Sequence, residues 1–284
     1  MARFRLTEAL IASDPDGFRR ATQSPFLRNA ARGAVPKDVL GRWLANDRLY
    51  IHGYIRGIGR LLSFLALPET VPERRRGGPH AATGKDAKAE ADGEDDDDGE
   101  DTPPTRLLAW MIDALVNIRR EERFFVDTAH EFGIAVNLPT SADGRVPDEA
   151  KIEGLRRFEA LFAGLAPGQG DVLPWLECAV VFYGTEKCYL DAWAYAKGLL
   201  RDDSGADPAA DADGGALRKE FIPNWTSEEF VEFVDELGDL IDAAVDDEIR
   251  RGGEGVKQEL LQRSLIKWRE ILAAEQPFWP AMEG

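Results

Sequence analysis

The chain has 284 residues, 44% of them apolar, which allows one large domain or two small ones around a sizeable core. Its formal charge of −17 is concentrated: residues 90–101 hold nine acids and no base, and residues 202–213 hold five acids and no base. Elsewhere the balance is ordinary, and no basic stripe exists to track phosphates, which argues against a nucleic-acid partner.

No apolar run approaches the roughly 18 residues of a membrane span. The N-terminal MARFRLTEALIASD has no apolar stretch followed by a small-residue cleavage site, so no signal peptide is expected. Cys178 and Cys188 lie on one predicted helix, ~15 Å apart along its axis, too far for a disulfide. These features predict a cytoplasmic protein without a membrane partner.

In chain order, helical periodicity predicts helices over 3–13, 15–32, 37–67, 105–133, 148–165, 171–200, 217–222, 227–250 and 254–282. Pro36 marks the start of one, Thr226 reads as the N-cap of another, and Gly33 and Gly133 read as stops. Segment 78–104 has no large apolar residue and cannot offset its ordering entropy, so it reads as a disordered insert; 202–216 reads as a shorter one. No period-2 strand and no tandem repeat stands out. The expectation is a single all-α domain over 1–284, a bundle of long antiparallel helices with two acidic loop insertions.

Three predicted helices each place one acid on an aromatic face. Trp43, Asp47, Tyr50 and Tyr54 share a face of 37–67, and Tyr183, Glu186, Tyr189 and Trp193 share one of 171–200. Glu275 stands in the stripe Trp268, Ile271, Leu272, Phe278 and Trp279. A carboxylate among rings costs several kcal/mol or so unless something donates to it. The plain alternative is local pairing: Asp47 with Arg48 or Arg42, Glu186 with the Tyr50 hydroxyl, Glu275 with a base of 254–269. If the three helices are neighbours, the acids instead converge on an aromatic-walled pocket. Such a pocket suits a flat, nitrogen-rich heterocycle whose NH₂ groups donate to carboxylates and whose faces meet rings. Carboxylates held close together also separate in pKa, which yields one acid and one base.

Four segments in order carry a resemblance: SPFLRNAARGAVPKDVLGRWLANDRLY (24–50), RREERFFVDTAHEFGI (119–134), PNWTSEEFVEFV (223–234) and AAEQPFWPA (273–281). Together they resemble the TenA (thiaminase II) family, whose members have the haem-oxygenase-like all-α fold. The resemblance spans about 200 residues and leaves out the acidic inserts. It implies that Asp47 and Tyr50 contact an aminopyrimidine, that Glu275 matches a C-terminal Glu on the pyrimidine, and that Glu186 matches a Glu of the central helix. Trp225 stands where the family has a further active-site Tyr. The Tyr of the preceding helix has no counterpart in KIEGLRRFEALFA (151–163). One branch of the family uses a cysteine about six residues before the central Glu; here that position is Val180, and Cys178 is about 200° away around the helix. The resemblance is therefore to the branch without that cysteine, and thiamin cleavage itself is not expected. Acidic inserts of this kind point to a eukaryotic, fungal-like member.

Other chemistries lack their residues. The histidines are His52, His80 and His130, with no Glu-x-x-His or His-x-x-x-His, so no metal is expected; residues 1–32 hold no histidine to ligate haem. No glycine-rich phosphate loop or Gly-x-Ser-x-Gly occurs. The reading is an aminopyrimidine aminohydrolase of thiamin salvage or degradation, without a cofactor. Glu186 and Glu275 share acid and base duty, Asp47 holds the amino group, and Tyr50, Tyr54, Tyr183, Tyr189 and Trp225 form the walls. Two rivals keep the scaffold: a ligand-binding or regulatory protein without turnover, and an oxidative enzyme related to the quinone-cofactor biosynthesis protein. The resemblance also implies a dimer or tetramer, with Phe278 and Trp279 either pocket wall or interface.

Overall fold

The structure, a computed structural model, describes residues 3–70, 102–168, 170–200 and 207–282. The acidic run 90–101, His80 and most of the 78–104 insert lie outside the described residues. Among those described there is no strand, and no helix is long and apolar enough to cross a membrane.

Among the described residues nine α-helices follow one another: α1 (Leu6–Ser13), α2 (Pro15–Thr22), α3 (Pro25–Ala31), α4 (Lys37–Phe64), α5 (Pro103–Glu131), α6 (Glu153–Ala163), α7 (Leu176–Leu199), α8 (Ile222–Asn224) and α9 (Glu228–Glu275). The expected helix over 15–32 is two helices, because Pro25 disfavours helical backbone at Ser24. Ser24 becomes an N-cap instead, accepting from the Leu27 N–H. Ser227, not Thr226, caps α9 by accepting from the Phe230 N–H, while Thr226 Oγ1 donates to the Ile222 carbonyl at 2.7 Å. Gly33 and Gly133 end their helices with φ of +64° and +66°, as the sequence predicts. The break expected between 250 and 254 is a kink inside α9, where Gly253 takes φ +75°.

The central helix is α7. It packs on α9, α2 and α3, and the run 176–185 is buried without interruption. Gly184 lets α9 lie against it: a Cβ there would stand 2.5 Å from Ile271 Cδ1. On the flanks α4 packs on α5 and α6, and α1 packs on α9. Arg263 of α9 grips the entry to α7, pairing with both Glu177 oxygens at 2.8 Å and donating to the Val172 and Leu173 carbonyls at 2.9 and 3.2 Å. Cys178 and Cys188 are free and buried.

The expectation that 202–216 has no structure fails for its described part, 207–216. Asp213 is fully buried and accepts from the backbone N–H groups of Gly215 at 2.8 Å and Leu217 at 2.7 Å. Asp211 forms a buried ion pair with Arg218, and the Ala212 N–H donates to the Gly33 carbonyl at 2.8 Å. Composition alone hid this, because aspartates that cap backbone groups count the same as solvated ones. Likewise 102–104 belongs to the start of α5, with Thr102 as N-cap and Pro103 in the first turn.

Candidate active site

A cavity of about 400 Å³ opens between α4, α5, α7, α8 and the start of α9. Asp47 and Tyr50 reach it from α4, Glu121 from α5, Glu186 and Tyr189 from α7, and Trp225 from the end of α8. The α8 segment arrives through a π-helical turn, Leu217–Phe221, whose wider winding ends with Asn224 and Trp225 both directed at α5. At the rim Arg120 and Glu229 pair at 2.7 Å across α5 and α9.

Behind the lining rings Tyr50 and Trp225 the aromatic packing continues into the core. Tyr50 meets Phe158, Phe162 and Phe278 edge-on with centroids 5.0, 5.5 and 5.6 Å away. Trp225 stacks on Phe221 at 4.8 Å and lies 4.5 Å from Trp193. Trp43 stacks on Trp279 at 5.6 Å. Phe278 and Trp279 are buried within this cage, so they serve the chain's own core.

Of the sequence-predicted site residues, Asp47, Tyr50, Glu186, Tyr189 and Trp225 line the cavity. Glu275 does not reach the cavity surface. It is buried beside it, and the charges acting on it are those of Asp47 and Glu186. Tyr54 is also one layer back: its hydroxyl faces Glu186 without closing a full hydrogen bond. Tyr183 points elsewhere, toward α1 and α9. A Cβ on Gly238 would stand 3.0 Å from its ring, and its charged surroundings are Asp242, Asp191 and Asp235. The periodicity grouped Tyr183 with Tyr189, but the two are about 120° apart around α7 and ~9 Å apart along it.

Among the described residues Asp47, Glu186 and Glu275 have no cationic partner. Burial raises the pKa of Asp47 well above the usual range, and Glu121 and Glu186 add to it. Burial does the same to Glu275, reinforced by Asp47 and then Glu186. Glu186 is pushed up to about 7 by burial, with the Tyr54 hydroxyl opposing and Glu121 adding. The local ion pairs that the sequence leaves open for these acids do not form among the described residues: neither Arg42 nor Arg48 pairs with Asp47, and no base of 254–269 pairs with Glu275. The Tyr50 hydroxyl lies in the field of Glu186 and faces Thr185.

Glu121 is the site residue that sequence reasoning missed. It sits in the charged run Arg119-Arg120-Glu121-Glu122-Arg123, which reads as a solvated face. The signal was its helical neighbours Ala114, Asn117, Ile118 and Phe124, which put it on the inward side of α5. Asn224 Nδ2 donates to both its oxygens, at 3.0 and 3.3 Å, and Trp225 Nε1 donates to Oε1. Burial raises its pKa while those donors, and then the charge of Arg120, oppose the shift. Both cysteines are poor nucleophiles here: burial pushes Cys178 up to about 12 and raises Cys188 well above the ordinary thiol range.

No family model matches the chain. A Fusarium pseudograminearum (strain CS3096) protein described as a "Probable transcription factor" is 23% identical over 294 residues, covering 94% of this chain and 51% of that protein. The chain thus spans about half the length of that curated relative. Among solved structures, the TenA homologue of Pyrococcus furiosus superposes with a TM-score of 0.62 at 20% identity, covering 96% of this chain and 98% of its own. The TenA homologue of P. horikoshii OT3 gives 0.60 at 15% identity, covering 97% and 99%. The chain therefore has the fold of the TenA homologues, the all-α haem-oxygenase-like bundle.

Proposed function

We propose that this chain is a TenA-family protein of thiamin salvage that hydrolyses the C–N bond of an aminopyrimidine. The observation that carries the reading is that Asp47 and Glu186 line one cavity together with aromatic rings, that Glu275 lies buried in their field, and that none of the three forms an ion pair among the described residues. Buried acids of this kind are costly and persist where chemistry uses them. In this reading Asp47 accepts from the exocyclic amino group and a protonated ring nitrogen, while Tyr50, Tyr189 and Trp225 hold the ring faces.

The unequal proton affinities assign the two glutamates. Glu186, with a pKa of about 7, is partly ionised at neutral pH and takes a proton from the attacking water. Glu275, raised further by burial and Asp47, holds a proton at neutral pH and, from behind the cavity wall, gives it through the Tyr50 hydroxyl to an amide leaving nitrogen. Tyr50 lines the cavity within the field of both and relays between them. The new C–O bond forms as the C–N bond breaks and water's proton goes to Glu186; an ammonium departs as ammonia with the three protons it already carries, and an amide nitrogen takes the proton of Glu275 through Tyr50 and departs as the free amide.

The test incubates the protein with aminomethylpyrimidine (amino-HMP), its formyl derivative and thiamin, and measures released hydroxymethylpyrimidine (HMP). Release from the first two, abolished in a folded Glu275→Gln variant, is the expected result. Tight binding without release would make the chain a binding protein, and full activity of Glu275→Gln would remove Glu275 from the mechanism.

A further inference from the structure

Glu121 faces the cavity in a pose that its neighbours fix. A carboxylate offers roughly four acceptor positions. Here three are used: Trp225 Nε1 and Asn224 Nδ2 donate to Oε1, and Asn224 Nδ2 donates to Oε2. The remaining position belongs to Oε2, on a side chain that lines the pocket. Two neutral donors lock the group without cancelling its charge. Arg120, whose charge favours the ionised form of Glu121, pairs at the rim with Glu229 at 2.7 Å. Asp47 and Glu186 both feel the charge of Glu121, so the three carboxylates surround one volume.

The sequence of α5 and α8 shows how this was built. Glu121 and Phe124 are three apart on one helical face, while Asn224 and Trp225 are adjacent at a helix end where backbone winding stops. Trp225 is itself clamped by its stack on Phe221 and its contact with Trp193. Its indole N–H therefore has one direction to point, and Glu121 is what it meets. An anion held this rigidly loses little freedom on taking up a ligand, which is the condition for strong recognition.

We propose that Glu121 is a ligand-binding residue that receives the ammonium of an aminomethyl-bearing pyrimidine, and so distinguishes the amine substrate from the alcohol product. This rests on the aminopyrimidine reading above and adds to it a second anchoring point, on the α5 side of the pocket. A charge-assisted hydrogen bond forms to the amine and not to the neutral alcohol, so the product is held less tightly and leaves.

The experiment measures the affinity of the full chain for two probes, amino-HMP and HMP, by calorimetry, in the wild type and in Glu121→Gln. The wild type is expected to favour amino-HMP. Glu121→Gln is expected to lose about tenfold in affinity for amino-HMP, with HMP changed less than about twofold. A second variant, Trp225→Phe, keeps a ring but removes one donor that fixes the carboxylate; it is expected to weaken amino-HMP by about threefold and to act in the same direction. Equal losses for both probes, or none for either, would overturn the assignment and leave Glu121 as a brace for Trp225. If the wild type binds HMP but Glu121→Gln does not fold, the Trp225→Phe pair of affinities decides by the same criterion. Binding of neither probe by the wild type would sink the aminopyrimidine reading itself, and the role of Glu121 with it.

Discussion

Glu275, the last residue of α9, lies in the field of Asp47 on α4. Burial raises its pKa well above the carboxylate range, and Asp47 adds more to that rise than any other charge. The hydrolytic reading therefore predicts a bell-shaped pH dependence of kcat/KM. The rising limb, near pH 7, belongs to Glu186 losing its proton; the falling limb, at higher pH, belongs to Glu275. Asp47→Asn removes a negative charge, so the falling limb moves to lower pH, and the lost contact to the amino group lowers kcat/KM by about tenfold or more. A falling limb that stays in place would show that Glu275 is not the proton holder.

The same shifts predict how stability varies with pH. The folded-state pKa of Glu186 lies above its unfolded value, so between the two the native state binds more protons than the unfolded chain. The stability this group confers is complete below the ordinary carboxylate range and is lost as pH rises through about 7. Asp47 and Glu275 act in the same direction. The thermal midpoint of wild type minus that of Glu186→Gln should fall as pH is raised from about 4.5 to 8, by ~2–4 °C for each kcal/mol involved. A difference that is flat with pH would mean Glu186 is not desolvated as the fold places it.

Much of this was legible in the chain, for reasons that differ by residue. Asp47, Glu186 and Glu275 stood out because an acid inside an apolar helical stripe breaks a pattern that burial otherwise enforces. The same rule failed for Tyr183: an aromatic on the stripe's edge looks identical whether it faces a cavity or the α1–α9 seam. It failed for Glu121 in the opposite sense, since four charged neighbours masked one inward-facing position. The long helices were predictable from period, but the split at Ser24 and the N-cap at Ser227 depend on Pro25 and on single hydrogen bonds that periodicity does not weigh. The ordered turn at 207–216 was hidden because its aspartates act on backbone N–H groups and on Arg218, contacts that composition does not encode.

Thiol chemistry should be dispensable. Cys178, with its pKa pushed up to about 12 by burial, donates to the Ala166 carbonyl, and Cys188 is fully buried. Neither lines the cavity. Iodoacetamide at neutral pH should leave amino-HMP hydrolysis intact, and Cys188→Ala should keep more than about half of the wild-type rate while losing ~1 kcal/mol of stability through its small cavity. Rapid inactivation by the alkylating agent, prevented by bound amino-HMP, would return a cysteine to the mechanism.

Gly154 offers a test of how packing sets the pocket from outside it. It stands at the start of α6 where the chain leaving α9 passes closely: a Cβ would lie 2.4 Å from the Phe278 N, 2.5 Å from its Cα and 2.7 Å from the Ala274 carbonyl oxygen. These are backbone atoms, so the contact cannot be relieved by a side-chain rotation. Gly154→Ala must push α6 and the Gln276–Phe278 turn apart, at a cost of ~1–3 kcal/mol. The Phe278 ring rests 5.6 Å from Tyr50 and 5.6 Å from Phe158, and Glu275 lies three residues before it. Displacement of that turn therefore moves together the ring packed behind the cavity-lining Tyr50 and the buried carboxyl of Glu275. The variant should melt several degrees lower and bind amino-HMP more weakly, although the substituted position is not itself on the cavity. A Gly154→Ala protein that melts lower yet binds amino-HMP with wild-type affinity would show that the turn carrying Phe278 is mechanically independent of the site.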